Sequence, residues 1–358
     1  EQDPFLGQVG GKVLFRTAPQ GIYDTDRLPS CHERVHEVRT DEPCTSRHYA
    51  GHHTLIYVPF MYRNSVMFIG IDHGTSAMRF SGGPGHRFKM RREDAVSFEM
   101  EDLEEICPLD EIEGIALSYS MGDNFSAITP VRKLSNRGLV SREGAGKHIG
   151  GGTRVFDRVA ESSIPAVAVP GLHRGSPTDP RFRVYSHQAS PEKVGIALRV
   201  TQDLGRDVVI SDISSNTVTL LVKDGRLAGA LDACIFAPGT EHGALDVDAI
   251  RKIDRGEISA NQAFMSAGVN HTLPPEERLP ALGLFAAMEC AALLVLAPHA
   301  RVALSGSMAA AVAETVQSLL GREITVYDEW CAADGLSLIA REVFSRGAGT
   351  ILGLSVNR

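Results

Sequence analysis

The chain has 358 residues, 43% hydrophobic and 22% charged, ordinary values for a globular protein and long enough for two domains rather than a single core. Its formal net charge is −8 and it carries no Lys/Arg-rich block interleaved with aromatics, which argues against a nucleic-acid surface and leaves any anionic ligand to local donors and a metal. The six cysteines are scattered with no CxxC pair, a pattern that fits reduced thiols in a cytoplasm.

Residues 1–66 hold no sustained period of 2 or 3.6 and are expected to have little structure. Cys44, His48 and His52 would share one face of a helix and could ligate a metal, but helical pattern and supporting carboxylates are missing around them. From Met67 the character changes. Phe68, Ile69 and Ile71 predict a short buried strand that delivers Asp72 into the turn His73-Gly74-Thr75-Ser76, after which extended pattern resumes. Such a turn lets backbone N–H groups and the Thr75 and Ser76 hydroxyls reach phosphate oxygens while Asp72 holds hydrated Mg²⁺. An ordinary hairpin turn is the alternative.

Arg87 to Arg92 predicts a third strand, Glu99 to Leu109 an amphipathic acidic helix, and Ile112 to Tyr119 another strand. Beyond the carboxyl end of that strand lies Asp123, placed to orient a water or substrate hydroxyl or to form an Asx turn. Lys147-His148-Ile149-Gly150-Gly151-Gly152-Thr153 is a second candidate phosphate or substrate loop, running into a helix over Arg154 to Ser163. After a strand at Ala166 to Val169, the residues His173, Arg174, Arg181, Arg183 and His187 either line a site for an anionic substrate or lie in a solvated loop.

Pro191 to Leu204 has helical spacing and ends at Gly205. Val208 to Val222 then repeats the first plan, with a β-branched run, Asp212, a small polar turn through Ser214 and Ser215, a returning strand, and the turn signal Lys223-Asp224-Gly225. Arg226 to Phe236 extends this second sheet. In the loop that follows, Glu241 and His242 could face a substrate, and Asp246 could cap a helix. Leu279 to Ala297 is the most apolar run; its Pro280, Gly283 and Glu289 point to a buried core helix rather than a membrane span. Val302 to Leu304 predicts a strand entering the turn Ser305-Gly306-Ser307. Met308 to Leu320 predicts a helix, Ile324 to Tyr327 a strand, and Cys331 to Phe344 a final helix.

Two acid-bearing hairpins followed by a strand-Gly-helix turn resemble the ATP-binding plan of the superfamily of sugar kinases, heat-shock chaperones and actin. Within it, Met67 to Arg358 resembles the methanogenesis marker protein 12 family of methanogenic archaea, on the stretches MFIGIDHGTSAMRF, IALSYSMGDNFSAITP and GKHIGGGTRVFD. Ala237 to Ile250 is similar to the loop and helix start after the second hairpin of acetate and butyrate kinases. The resemblance implies an α/β fold of the two-lobed actin-like, ribonuclease H-like ATPase type, with mixed twisted sheets and helices around a central cleft. The lobes would be residues 67–205 and 206–358, the final helix packing back on the first. Because the resemblance opens at Met67, residues 1–66 are expected to be an upstream extension.

The same resemblance implies ATP and Mg²⁺ as cofactors. Asp72 and Asp212 would flank the metal, and these two with Asp123 would be the catalytic acids. Gly74, Thr75, Ser76, Ser214, Ser215, Gly306 and Ser307 would bind nucleotide; His148, His173, Arg174, Arg181 and His242 are candidate substrate residues. The function implied is an ATPase or a kinase of a small carboxylate, the alternative being a nucleotide-sensing or structural assembly factor of the methanogenic machinery. The partners are then a nucleotide and a small molecule or protein, with no nucleic acid and no membrane. The chain departs from the superfamily pattern at Ser214, where a glycine is usual, and in having Ser-Gly-Ser rather than Gly-Gly at residues 305–307.

Overall fold

The computed structural model describes residues 66–119, 125–138 and 150–358. Asp123, His148 and the Cys44/His48/His52 group therefore lie outside the described residues, as does nearly all of the segment expected to be an extension.

The chain builds one plan twice. In the first half, β1 (Met67–His73), β2 (Ala77–Gly83) and β3 (His86–Arg91) form an antiparallel meander, β4 (Ile112–Ser118) pairs parallel with β1, and β6 (Ala166–Val169) pairs parallel with β4. The two-residue β5 (Thr129–Pro130) closes the edge antiparallel to β6, giving the order β3-β2-β1-β4-β6-β5. Helix α1 (Gly151–Glu161) connects within this half, and the short pair β7 (Leu172–His173) and β8 (His187–Ala189) leads into α2 (Glu192–Leu204).

The second half repeats it. A meander of β9 (Val208–Ile213), β10 (Thr217–Lys223) and β11 (Arg226–Leu231) is followed by β12 (Arg301–Ser305) parallel to β9 and β13 (Ile324–Val326) parallel to β12. Helices α3 (Val247–Asp254), α4 (Ala260–Met265), α5 (Val269–Thr272) and α6 (Pro275–Leu294) join β11 to β12. Helix α7 (Ala309–Leu320) joins β12 to β13, and α8 (Cys331–Phe344) follows before the small hairpin β14 (Thr350–Ile351) and β15 (Leu354–Ser355).

Period-2 alternation in the central strands decides what faces what. Ile69 and Ile71 of β1 join a core with Phe80, Phe98, Val155 and Phe156, whereas Phe68 joins α2 and α8 residues. Likewise Val209 and Ile213 of β9 pack with α6 and α7, while Val208 and Ile210 face the same central layer as Phe68. Both sheets are thus buried on two faces, which is why their strands read as continuous apolar runs.

The central layer is the crossing of α2 and α8, each of which ends one half of the chain. They meet at Gly195 and Gly335, where a Cβ added to Gly335 would lie 1.8 Å from the Gly195 carbonyl oxygen. Each helix also reaches toward the sheet of the other half. Asp334 of α8 accepts from Ser81 Oγ at 2.5 Å and from Arg87 Nη2 at 2.5 Å, and Ser337 Oγ donates to the Phe68 carbonyl at 2.7 Å. Lys193 of α2 donates to Asp212 at the end of β9.

Two expectations need correcting. The stretch from Glu99 to Leu109 forms 3₁₀ turns over Met100–Glu105 and Leu109–Glu111 instead of one amphipathic helix; Asp102 caps its start by accepting from the Glu99 N–H, and Pro108 breaks it before Leu109. The apolar run at Leu279 to Ala297 belongs to α6 but is not enclosed: its inner face carries Leu282, Ala286, Glu289 and Leu293 into the core, while Leu284, Met288 and Val295 are exposed. Among the described residues no helix is long and apolar enough to cross a membrane.

Candidate functional site

Strand alternation brings the two predicted acids into one layer. Residues 68, 70 and 72 of β1 and residues 208, 210 and 212 of β9 share the parity that points toward α2 and α8, so Asp72 and Asp212 approach the same space from two sheets. Both are buried, at 4% and 7% exposure, where a carboxylate must find partners or change its charge.

Asp72 finds one partner. Its cross-strand neighbour Arg79 reaches Oδ2 from Nη1 at 3.4 Å and uses Nη2 to bind Glu329 at 2.7 Å. Its Oδ1 is buried with no hydrogen-bond partner. Burial, then the nearby Glu192 carboxylate, push its pKa up to about 7 against the opposing pull of Arg79 and Lys193.

Asp212 is saturated. Oδ2 accepts from Lys193 Nζ at 2.7 Å, and Oδ1 accepts at 2.6 Å from the hydroxyl of Ser305, its neighbour across β9 and β12. Lys193 also donates to Glu192 Oε1 at 2.9 Å, which takes the Ser190 hydroxyl at 2.6 Å. Burial opposes the lysine's charge, but the Asp212 and Glu192 carboxylates outweigh it and hold its pKa above the ordinary value. Burial likewise works against Glu192, yet Lys193 and Ser190 bring its pKa below the usual range.

The two polar turns beyond these acids touch. Ser215 Oγ donates to Thr75 Oγ1 at 3.4 Å across 140 positions of sequence. Ser76 is exposed beside Thr75; the Gly74 carbonyl accepts from Arg92 Nη1 at 2.8 Å. His73 is buried, its pKa pushed down to about 3 by burial and then by Arg92, with Nε2 on the Gly152 carbonyl and Nδ1 lacking a partner. Ser214 accepts from the Ser307 N–H at 3.1 Å, so its side chain ties the second hairpin to the 305–307 turn. Gly306, between them, has φ +93°, and a Cβ there would stand 2.5 Å from Ser214 Oγ and 2.7 Å from Asp212 Oδ1. Only glycine meets both demands.

The substrate candidates are not brought together by their hydrogen bonds. His173 donates from Nε2 to the Phe125 carbonyl at 3.1 Å and accepts at Nδ1 from the Gly175 N–H at 3.1 Å. Arg174 binds the Arg183 and Val184 carbonyls. Arg181 forks onto Asp179 at 2.6 Å, and that side-chain bond leads the causes that hold the aspartate near pKa 2. His242 stacks on Phe264 with centroids 4.8 Å apart, and burial lowers its pKa. Its neighbour Glu241 is clamped by Asn270 at 2.7 Å and His271 at 2.9 Å. Asp246 caps α3, accepting from the Ala249 N–H at 2.9 Å.

Sequence reading missed Lys193, Glu192 and Arg79. A usable signal existed for the lysine: it shares a helical face with Ala197 and Val200, and a cation on an apolar stripe demands a buried acid. Among the described residues no three His, Cys, Asp or Glu side chains converge to hold a metal by themselves. A divalent cation at Asp72 would need water or ligand oxygens to complete its shell, as Mg²⁺ commonly does. The partnerless Oδ1 of Asp72 fits that role; Asp212, with both oxygens engaged, fits contact through a water.

Two copies of a three-strand meander extended by two parallel strands, each with an acid at the end of its first strand, define an α/β protein of the actin-like, ribonuclease H-like ATPase fold. No family model matches the chain. It is 46% identical over 322 residues to a UPF0285 protein of Methanosarcina mazei, covering 81% of this chain and 99% of the relative. It is 51% identical over 207 residues to a UPF0285 protein of Methanocaldococcus jannaschii, covering 56% and 63%. The chain belongs to the UPF0285 family. Among solved structures it is similar to a propionate kinase from Francisella tularensis, with TM-score 0.48, 14% identity and coverage of 75% of this chain and 98% of that one. For the acetate kinase of Porphyromonas gingivalis the values are 0.45, 11%, 74% and 90%.

Proposed function

We propose that the chain binds a Mg²⁺–nucleotide, ATP by preference, between its two acid-tipped hairpins in the cytoplasm and uses it for ATP hydrolysis or for phosphorylating a small carboxylate. The observation carrying this reading is the convergence of the hairpins: the Thr75 and Ser215 hydroxyls meet at 3.4 Å while Asp72 keeps a buried Oδ1 without a partner. Asp72 would take the metal through that oxygen. Thr75, Ser76 and Ser215 would donate to phosphate oxygens, and Ser307 and Gly306 would border the nucleoside. Asp212, fixed by Lys193 and Ser305, would orient a metal-bound water or the attacking oxygen. Halves 67–205 and 206–358 closing on one another would exclude water.

Asp72→Asn removes charge without changing shape; Asp212→Asn also takes a carboxylate from the buried Lys193, so its fold is checked by circular dichroism before its binding is compared. In isothermal titration of the full chain with ATP and Mg²⁺, each should weaken metal-dependent binding by about tenfold or more. Unaltered binding in both, or none by the folded parent, removes the nucleotide site. A screen of small carboxylates for phosphoryl acceptance then separates kinase from ATPase.

One observation favours a second reading. Asp212 is fully satisfied by Lys193 and Ser305, and Ser214 is committed to Ser307, so the second hairpin is stable without a ligand. A nucleotide-sensing assembly factor, as the resemblance to the methanogenesis marker family implies, needs binding but not turnover. Nucleotide binding with no hydrolysis and no acceptor would support it.

A further inference from the structure

Helix α6 is arranged inside out. Between Leu279 and Val295 its only acidic or basic side chain is Glu289, and that one is fully buried. The solvent side is apolar: Leu284 is 45% exposed, Met288 45% and Val295, at the C-terminal cap, 77%. Ala291 is exposed on the same side, and Ala281 is half-buried there.

The spacing of this stripe is informative. Glu277, Ala281, Leu284, Met288, Ala291 and Val295 follow one another at alternating steps of four and three, the spacing of a two-helix seam. A helix that merely lies on a core needs no second seam on its outer side. Leu319 of α7, 54% exposed and one turn beyond the Thr315 side chain against Gly283, adds a neighbouring apolar residue.

The charges at the two ends specify the partner. Glu276 and Glu277 stand exposed in the first turn of α6. At the other end Lys223 Nζ donates to the Leu296 carbonyl at 3.1 Å, and Arg322 donates to the Pro298 and Ala300 carbonyls, each at 3.3 Å. A second identical helix running antiparallel would set acids beside cations at both ends and align opposite helix dipoles. A parallel copy would set like charge against like. An antiparallel pair of identical surfaces is what a two-fold axis generates.

We propose that the exposed face of α6 is a homodimer interface, in which two copies of this chain pair their α6 helices antiparallel about a two-fold axis near residue 286. In that register Leu284 lies against the partner's Met288 and Ala281 against the partner's Ala291, with Glu277 reaching the Lys223 and Arg322 end. The interface lies on the outer side of the second sheet, away from Asp72 and Asp212, and does not depend on the nucleotide reading.

The test is sedimentation of the full chain over the micromolar range. The parent should run at twice the chain mass, and Leu284→Glu and Met288→Glu should run at the monomer mass with unchanged circular dichroism, since they alter only exposed positions, and with a melting temperature that, unlike the parent's, does not depend on concentration. Glu277→Lys should raise the dimer dissociation constant by roughly 2–5-fold, as expected for an exposed ion pair. Protomers carrying Ala281→Cys should form a mixed disulfide with protomers carrying Ala291→Cys and none with one another. A monomeric parent, a dimer untouched by Leu284→Glu and Met288→Glu, or an Ala281→Cys self-link would overturn the proposal. So would a monomer whose Met288→Cys thiol resists maleimide, because another part of the same chain would then cover the face.

Discussion

Lys193 in the first turn of α2 places its ammonium 2.7 Å from Asp212 at the end of β9, and the pair is almost fully withdrawn from water, with side-chain exposures of 6% and 9%. An ion pair so placed is not a strong net stabiliser, because desolvation consumes most of the attraction. Removing one partner is costly because it strands the other charge.

Lys193→Met should therefore destabilise the chain by about 3–5 kcal/mol, leaving Asp212 without its cation beside Asp72 and Glu192. The double variant Lys193→Met/Asp212→Asn should recover the part of that loss that belongs to Asp212, while Glu192 still lacks its cation. Urea unfolding of both single variants and the double gives the coupling energy directly. If the double is as unstable as the sum of the singles, Lys193 contributes packing and not charge compensation.

Gly306→Ala should cost at least about 2 kcal/mol, since it combines an unfavourable positive φ with a Cβ driven into Ser214, Ile213 and Asp212. Gly349→Ala is the control: nothing lies within 4 Å of its added Cβ, and its φ is outside the left-handed region. Its effect should stay within about 0.5 kcal/mol. Thermal melts of the two variants compare the sites; equal melting temperatures would mean the 305–307 turn relaxes without penalty.

Glu289, on the buried face of α6, accepts from the Ala237 N–H at 3.2 Å through Oε1 and has no partner at Oε2. Burial raises its pKa to about 8 from 4.5. The folded state thus holds a proton that the unfolded state has released. The stabilising contribution is complete below pH 4.5 and is lost as pH rises through 8, with a slope approaching about 1.4 kcal/mol per pH unit between. Glu289→Gln should remove this dependence, matching the parent in acid and exceeding it in stability above pH 8. Parallel slopes for parent and variant across that window would show that Glu289 is charged in the fold.

The positions of most strands could be read in the sequence because buried central strands are unbroken apolar runs, and the hairpin plan was visible twice, around Asp72 and around Asp212; the order of strands in each sheet came from the fold. The acidic stretch at Glu99 to Leu109 misled because short capped turns and an amphipathic helix share composition over ten residues, and only the position of Pro108 separates them.

Sequence alone determined that each half delivers an acid to the end of its first strand, since alternation and turn chemistry are local properties. It could not determine which charge would answer those acids. Arg79 meets Asp72 through sheet register, and Lys193 meets Asp212 because α2 crosses α8 at Gly195 and Gly335 and leans on the sheet of the other half. Nor could it separate the two sides of α6, where an inward Glu289 and an outward Leu284 and Met288 reverse the usual polarity. Those outcomes depend on which helix face meets the core, a relation between distant segments that only the folded chain supplies.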